Sequence, residues 1–187
     1  LQKPSLSLRF FGLNSLSKPL DDKKIRKAIN FAIDKEFIVS QIHRSQFHLA
    51  KGILPPGMPG YDPMKNPYPY NETQAIKLLS EAGYRKGQML PSLEIWSNTS
   101  SEAAQKELNE IHSELKKVGI TTTLQFETNW PNFESILRAN QAPMFILAWY
   151  ADFPDPDSLF YSLFHSKSKN NFVSYHRPEV DRLLDKA

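Results

Sequence analysis

Residues 144–157 read MFILAWYADFPDPD, a pattern that predicts a buried strand ending abruptly in carboxylates and prolines. The apolar run at the start of this stretch suits a strand covered on both faces, as in a parallel sheet. Pro154 and Pro156 cannot continue the strand, because proline has no N–H to donate to the ladder. We therefore expect the strand to end at Trp149 or Tyr150. In open α/β sheets ligands bind beyond the carboxyl ends of strands, so this end is the predicted site of function.

Strand and helix patterns alternate along residues 71–165, which indicates right-handed βαβ units and a mainly parallel sheet. The clearest helix carries apolar side chains at a 4-3-4-3 spacing from Ala104 to Val118, and an alternating strand pattern follows at residues 120–126. A further strand is predicted over residues 5–11. The predicted fold class is therefore α/β, with a mainly parallel sheet flanked by helices.

Capping and turn residues predict where the other elements begin. Asp, Asn, Ser and Thr side chains start helices because their oxygens accept the first free N–H groups. Residues 51–70 are rich in proline and glycine, which predicts an extended loop. Apolar side chains in it, such as Ile53, Leu54 and Met58, predict that the loop packs over a surface. We expect helix starts at Asp21 or Asp22, Asp34, Asn71 with Gln74, Thr99 with Glu102, Asn129 or Asn132, Asp157 and Pro178, and a brief strand over residues 172–175.

The composition is that of an ordinary globular protein, with 187 residues, 40% hydrophobic and 23% charged, and a formal net charge of +3. The lack of cysteine excludes disulfides, thiolate catalysis and Cys-ligated zinc. The sequence lacks the basic and aromatic pattern typical of nucleic-acid-binding proteins. No apolar stretch reaches the roughly 18 residues of a transmembrane helix. Leu1 is not a natural start and Ala187 falls inside a helical pattern, so we expect a fragment of a longer chain.

Three carboxylates follow the predicted strand, and they have two interpretations. One is a charged cluster of Asp152, Asp155 and Asp157 offered to a cationic ligand group or a metal. The other is turn chemistry, with Asp157 capping a helix and Asp155 in a proline-flanked turn. We favour turn chemistry for Asp155 and Asp157. For Asp152 we favour a functional role, because no capping or turn position explains it. The stiff prolines and the lack of glycine argue against a calcium loop.

Recognisable catalytic motifs are absent from the sequence. The five histidines form no HExxH pair, and there is no Gly-rich phosphate loop or GxSxG elbow. We therefore expect no catalytic residue, no metal site and no cofactor, and a protein that is not an enzyme. A hydrolase built on Asp152, Asp155 and Asp157 remains the alternative from another functional class.

Six separated segments carry a family resemblance. They are residues 20–36 (LDDKKIRKAINFAIDKE), 52–56 (GILPP), 70–84 (YNETQAIKLLSEAGY), 115–120 (LKKVGI), 149–156 (WYADFPDP) and 175–187 (YHRPEVDRLLDKA). In this order they resemble family 5 of the extracellular solute-binding proteins, the dipeptide- and oligopeptide-binding components of bacterial ABC transporters. One departure is Ala148, where the family commonly has a glycine before the tryptophan.

The resemblance implies a two-lobed protein that closes on its ligand. Residues 1–187 would form a single α/β lobe of the periplasmic-binding-protein type II kind, the C-terminal lobe, with the N-terminal lobe absent. The protein would lie in the periplasm or on the extracellular face of the cytoplasmic membrane. Its partners would be a peptide ligand and the permease subunits of the transporter, and it would meet the membrane only through the permease or an N-terminal anchor outside this chain.

In peptide-binding members of this family, the aspartate of a W-x-x-D segment pairs with the α-ammonium group of the ligand. Trp149 and Asp152 match that segment. The resemblance also implies that the ligand backbone pairs with the main chain around Ala148 and Tyr150. Trp149 and Tyr150 would wall the cleft, and because neighbours on a strand face opposite sides, we expect one to pack inward. Arg138 is a candidate partner for the ligand carboxylate, with a solvated helix end as the alternative.

The predicted function is the capture of peptides in an interlobe cleft for uptake through an ABC transporter, by binding and closure without chemistry. Members of the family also bind nickel complexes, haem, glutathione and sugars. A nickel-complex, haem or sugar binder of the same fold is therefore the first alternative. A sensor or chaperone-like module that borrows the lobe is another.

Overall fold

The computed structural model describes residues 6–44, 46–84 and 90–186; Leu1, Ser5 and Ala187, which entered the sequence predictions, lie outside these ranges. No helix in the described ranges is long and apolar enough to cross a membrane. The strands are β1 (Ser7–Leu13), β2 (Leu93–Ser97), β3 (Thr122–Phe126) and β4 (Met144–Tyr150). The helices are α1 (Lys23–Ala32), α2 (Lys35–Phe37) with a π-helical turn (Ile38–Ile42), α3 (Glu72–Glu81), α4 (Glu102–Lys117), α5 (Trp130–Arg138), α6 (Asp157–Phe164) and α7 (Pro178–Leu184).

The four strands form one sheet in the order β1-β4-β2-β3, which places β4 inside it. β2 pairs parallel with both β3 and β4, whereas β1 pairs antiparallel with β4. The predicted α/β fold with a mainly parallel sheet is confirmed. β4 is the apolar stretch identified in the sequence, and it ends at Tyr150, before the prolines.

Helices cover both faces of this sheet. On one face, side chains of α1, α3 and α4 pack against Ile95, Met144 and Ile146 in the main core. On the other face, α5 packs against Phe145 and Leu147. Successive residues of β4 face opposite sides, so a strand with a core on each face needs an apolar residue at every position.

A third apolar cluster lies beside the end of β4 and supports the loop that follows it. Met58, from the proline-rich loop, is buried against Leu159 and Leu163 of α6, and Trp149 packs on the same group. The Lys35 Nζ fixes the loop farther along by donating a hydrogen bond to the main-chain carbonyl of Tyr68 (3.0 Å). The loop is therefore packed over a surface, as its apolar content predicts.

Three local predictions are wrong: the caps of two helices and one short strand. α4 begins after Ser101, whose hydroxyl accepts the first free N–H, and not after Thr99. Asp157 is the first residue of α6 and not its cap, since the residue before the helix is Pro156. Residues 172–175 form turn and irregular backbone in place of a strand. The helix caps predicted elsewhere are confirmed at Asp22, Asp34, Asn71 and Asn129.

Candidate functional site

The carboxyl end of β4 extends past the end of its neighbour β2. The ladder between them stops where Ser97 pairs with Ile146. β4 continues to Tyr150 and remains paired with β1 on its other side, where Tyr150 stands opposite Ser7. Among the described residues, no strand continues the line of β2 beside β4. The sheet edge therefore has a recess beside residues 147–150, which we call the β4 step.

The antiparallel pairing with β1 decides which main-chain groups point into the β4 step. Ala151 donates its N–H to the Leu6 carbonyl (2.8 Å), and bonding pairs alternate along an antiparallel ladder, so Trp149 also bonds to β1. Ala148 and Tyr150 then direct their N–H and C=O groups away from β1 and into the step. Within the described ranges no group of the protein pairs with them there. The step thus offers two donors and two acceptors to an incoming extended chain.

Trp149 and Tyr150 lie on opposite sides of β4. Trp149 is half-buried in the cluster beside α6, and its Nε1–H donates to the main-chain carbonyl of Ser158 (3.3 Å). Tyr150 has 69% of its surface exposed. The expected alternation is therefore observed, with Trp149 as the residue that packs inward. Trp149 anchors α6 to the strand, and Tyr150 is the aromatic of the pair that is open to solvent.

Asp152 lies two residues beyond the outer end of the β4 step, on an exposed loop. In the part of the chain that the structure describes, no hydrogen bond or ion pair engages its carboxylate. Asp155 instead accepts the N–H of Asp157 on its Oδ1 (2.8 Å), and its own carbonyl accepts the hydroxyl of Ser158 (2.6 Å). Asp155 thus makes the turn chemistry predicted for it, whereas Asp157 keeps one carboxylate oxygen buried without a partner.

The described residues were also searched for clusters of metal-ligating side chains. In residues 6–44, 46–84 and 90–186 there is no group of three His, Cys, Asp or Glu side chains that could hold a metal ion. Of the three aspartates that follow β4, Asp152 alone combines an exposed carboxylate with the absence of a local hydrogen-bonding role within the described loop. Asp152 is therefore the carboxylate of the three that remains open to solvent and free of a turn role.

Arg138 lies at the opposite end of β4. It is the last residue of α5, and the strand that follows spans about 20 Å from Met144 to Tyr150. Its guanidinium pairs with Glu134, donates to the main-chain carbonyl of Lys169 and lies over the Phe172 ring, 5.4 Å from its centroid. These contacts are those of a helix end docked on its own protein. The structure therefore does not bring Arg138 together with Ala148, Trp149, Tyr150 and Asp152.

Three aromatic residues that sequence reasoning did not assign to the site are exposed near the same edge of the sheet. Phe126 is the last residue of β3, Trp130 begins the next helix, and Phe153 follows Asp152. Phe126 is in register with Ser97, so it belongs to the row of side chains at the inner end of the β4 step. Its place at the end of a strand parallel to β4 is the signal that identifies it, because parallel strands end at a common edge.

Arg9 is a further residue near the step that the sequence did not indicate. It stands opposite Ala148 on β1, and its guanidinium is held by Glu107 of α4, with Nη2 at 2.6 Å and Nε at 3.2 Å from Oε2. The Nε2 of His43 lies 3.3 Å from the same carboxylate oxygen. Glu107 is buried, so this pairing compensates its charge. Arg9 is accordingly engaged within the protein and is not a free cation for a ligand carboxylate.

Comparison with known proteins relates this geometry to a family. Residues 1–171 match the family model of bacterial extracellular solute-binding proteins, family 5, middle region. The chain is 26% identical over 181 residues to the dipeptide-binding protein of Escherichia coli, which covers 95% of this chain and 33% of that protein. It is 28% identical over 194 residues to heme-binding protein A of Haemophilus influenzae, which covers 100% of this chain and 35% of that protein.

A solved structure shows the same fold. The dipeptide binding protein from Pseudoalteromonas in complex with Met-Leu is 30% identical and superimposes with a TM-score of 0.85, over 97% of this chain and 36% of that one. The chain spans about a third of the length of the curated relatives it matches. The family model covers most of the chain, including the whole of β4 and Asp152. The chain therefore belongs to family 5 of the bacterial extracellular solute-binding proteins.

Proposed function

We propose that this chain is the ligand-contacting lobe of a solute-binding protein that captures peptides for uptake by an ABC transporter. The observation that carries the proposal is the β4 step, where Ala148 and Tyr150 present main-chain donors and acceptors to an extended chain. A peptide that adds beside β4 would extend the sheet by one strand. Main-chain pairing of this kind does not read side chains, which suits the capture of peptides of varied sequence.

Asp152 would fix the polarity of the bound peptide. Its exposed carboxylate stands just beyond the step, where the α-ammonium group of a peptide seated beside Tyr150 would lie. An ammonium group taken out of water requires a fixed counter-charge, because an unpaired buried charge is costly. The names of the dipeptide-binding relatives support a peptide as the ligand.

The mechanism would be binding and closure without a chemical step. A second lobe, outside this chain, would cover the β4 step, exclude water and hold the free side of the peptide. The closed, loaded protein would then deliver the peptide to the permease subunits of the transporter. The protein would then act at the outer side of the cytoplasmic membrane, which the extracellular character of its family supports. Trp149 would act indirectly, by anchoring α6 behind the strand end.

The test is calorimetric binding of tripeptides to the full-length two-lobed protein carrying Asp152→Asn. Breaking a desolvated charge pair costs roughly 2–5 kcal/mol, so we expect the affinity for a free-amino tripeptide to fall at least about 30-fold. The N-acetylated tripeptide has no ammonium group, and its affinity should change less than about threefold. Asp155→Asn is the matched control, because that carboxylate serves its own turn. Equal losses for the two tripeptides would refute the role of Asp152.

Haem is a second candidate ligand, because the Haemophilus influenzae relative that covers the whole of this chain is named for heme binding. The exposed phenol of Tyr150 would be a candidate iron ligand at the step, since tyrosine serves as an axial ligand in some haem proteins. The absorbance spectrum of the full-length protein as purified, before and after addition of haem, distinguishes a haem ligand from a peptide ligand. A Soret band that disappears in Tyr150→Phe would favour haem over peptides.

A further inference from the structure

We infer that Arg9, Glu107 and His43 form a charge switch behind the β4 step, which favours an acidic side chain on the third residue of a bound peptide when His43 is protonated. The inference rests on the proposed function, because it takes the peptide to lie beside β4 with its ammonium group at Asp152. Main-chain pairing does not distinguish peptide side chains, so this cluster would supply a selectivity that the step itself lacks.

The three side chains form a largely buried cluster. The Arg9 Nη2 donates to the Glu107 Oε2 (2.6 Å), and the His43 Nε2 lies 3.3 Å from the same oxygen. The side chains of Glu107 and His43 are 9% and 10% exposed, and that of Arg9 is 26% exposed. In the described part of the chain, the His43 Nε2 makes no hydrogen bond of good geometry. A buried ring nitrogen without a partner is costly, and a protonated ring would satisfy it by donating to Glu107.

The net charge of the cluster depends on His43. Arg9 and Glu107 carry opposite charges, so together with a neutral imidazole they have no net charge. Histidine is the side chain that ordinarily changes its charge between pH 5 and pH 8. Protonation of His43 therefore gives the cluster one positive charge, held where little water reaches it.

The other groups around His43 do not replace this charge. The Phe47 ring packs edge-on against the imidazole, with 4.9 Å between the ring centroids. Arg44 follows His43 in the chain, and its charge acts on Glu102 in the first turn of α4, which in turn pairs with Lys106 at 2.6 Å. Glu102 and Lys106 are exposed, so water and salt screen them more strongly than the buried cluster.

The peptide side chain beside Ala148 points to the face of the sheet that carries the cluster. Arg9 stands opposite Ala148, and opposed residues of a ladder share a face. A peptide residue on the other side of Ala148 shares that face too, and counted from an ammonium group at Asp152 it is the third residue. α4 connects the neighbouring parallel strands β2 and β3 and lies over them, so the Arg9 side chain extends across Ala148 to reach Glu107. Two strand spacings put the cluster roughly 10 Å from the third side chain.

This separation sets the size of the effect. At about 10 Å and an effective dielectric constant of about 35, two unit charges change an affinity about fivefold. The second peptide residue, beside Trp149, directs its side chain to the opposite face, with the sheet between it and the cluster. Because linkage is reciprocal, an acidic third side chain favours protonation of His43 by the same factor.

The selectivity is tested by calorimetry on the full-length protein with the tetrapeptide amides Ala-Ala-Asp-Ala and Ala-Ala-Asn-Ala. We expect the ratio of the two affinities to shift about fivefold towards the aspartyl peptide from pH 8 to pH 5.5. The ratio cancels every titration common to both peptides, including that of their amino groups. The same pair with Asp or Asn as the second residue is the matched control and should shift less than about twofold.

The variant His43→Gln assigns the shift to its source, because glutamine is polar but does not titrate. The shift should vanish in this variant, whose fold is checked by circular dichroism. A shift that persists in His43→Gln, or no shift in the wild type, would overturn the inference and leave peptide binding intact. Failure of every peptide to bind at both pH values would overturn the proposed function itself.

Proton uptake by the wild type gives a second measurement that does not depend on the variant. Calorimetry in two buffers of different ionisation enthalpy counts the protons taken up on binding. Between pH 5.5 and pH 8, uptake for Ala-Ala-Asp-Ala amide should exceed that for its Asn counterpart by up to about 0.4 proton, the value that a fivefold coupling gives. Equal uptake for the two peptides throughout this range would overturn the inference.

Discussion

Glu114 makes the stability of this protein depend on pH in the direction opposite to that of an ordinary ion-paired carboxylate. Its side chain lies on α4 with 3% of the residue surface exposed, and both carboxylate oxygens accept the N–H of Asp34, at 3.1 Å each. Burial raises the pKa of Glu114 to about 7, the hydrogen bond from Asp34 opposes that rise, and the negative charge of Glu110 adds to it.

The sign of the effect follows from proton linkage. Between its ordinary pKa of 4.5 and about 7, Glu114 holds a proton in the folded protein that the unfolded chain releases. The free energy of unfolding therefore falls as pH rises through this window, and the contribution that is fully present below pH 4.5 is lost above pH 7. A shift of this size corresponds to at most about 3.4 kcal/mol, and we expect about 2 kcal/mol, because the effective dielectric constant at buried sites in proteins is well above that of a dry interior.

The variant Glu114→Gln tests this reasoning, because it removes the charge and keeps the shape and an acceptor for the Asp34 N–H. Urea unfolding followed by circular dichroism should show the variant more stable than the wild type by about 2 kcal/mol at pH 8 and nearly equal to it at pH 4. Glu81→Gln, at an exposed site on α3, is the matched control and should follow the wild type throughout. A difference between Glu114→Gln and the wild type that does not vary with pH would refute the argument.

Two further predictions concern the strand that pairs with β4. Gly12→Ala should lower the free energy of unfolding by about 1–3 kcal/mol, because the new Cβ would overlap the buried Phe145 ring; urea unfolding at the wild-type level would show that the ring can move. Arg9→Met should cost about 3 kcal/mol by leaving the buried Glu107 carboxylate without its guanidinium. The double variant Arg9→Met/Glu107→Met should recover most of that loss, and a double variant no more stable than Arg9→Met alone would contradict this explanation.

The end of β4 could be predicted from the sequence because its causes are local. An unbroken apolar run, two prolines and the alternation of Trp149 with Tyr150 are all contained in one stretch, and each acts through the residue's own backbone or neighbours. The β4 step could not be predicted, because it depends on where β2 stops relative to β4. Nothing within residues 93–97 indicates that Ser97 will lie level with Ile146, since that register is set by the packing of the whole sheet.

Closeness in sequence does not predict which cationic residue lies near the end of β4, because that also depends on how the strands pair. Arg138 precedes β4 by only a few residues, but the strand carries the chain about 20 Å away before it reaches Tyr150. Arg9 is far from Ala148 in the sequence and directly opposite it in the sheet. Antiparallel pairing joined these two positions, and a sequence without its pairing partners does not contain that information.

The exposure of Asp152 determines what a loss of binding free energy for the free-amino tripeptide in Asp152→Asn would mean. An ion pair in contact with water contributes at most about 1 kcal/mol, whereas breaking a desolvated pair costs roughly 2–5 kcal/mol. In this lobe the Asp152 carboxylate is exposed, so an ion pair formed with the lobe alone would contribute only the smaller of these two free energies. The difference must come from whatever surface covers Asp152 and the β4 step when the ligand is bound. A loss above 2 kcal/mol would therefore show that closure removes water from the ammonium pair, and a loss below 1 kcal/mol would show that the closed protein leaves Asp152 hydrated.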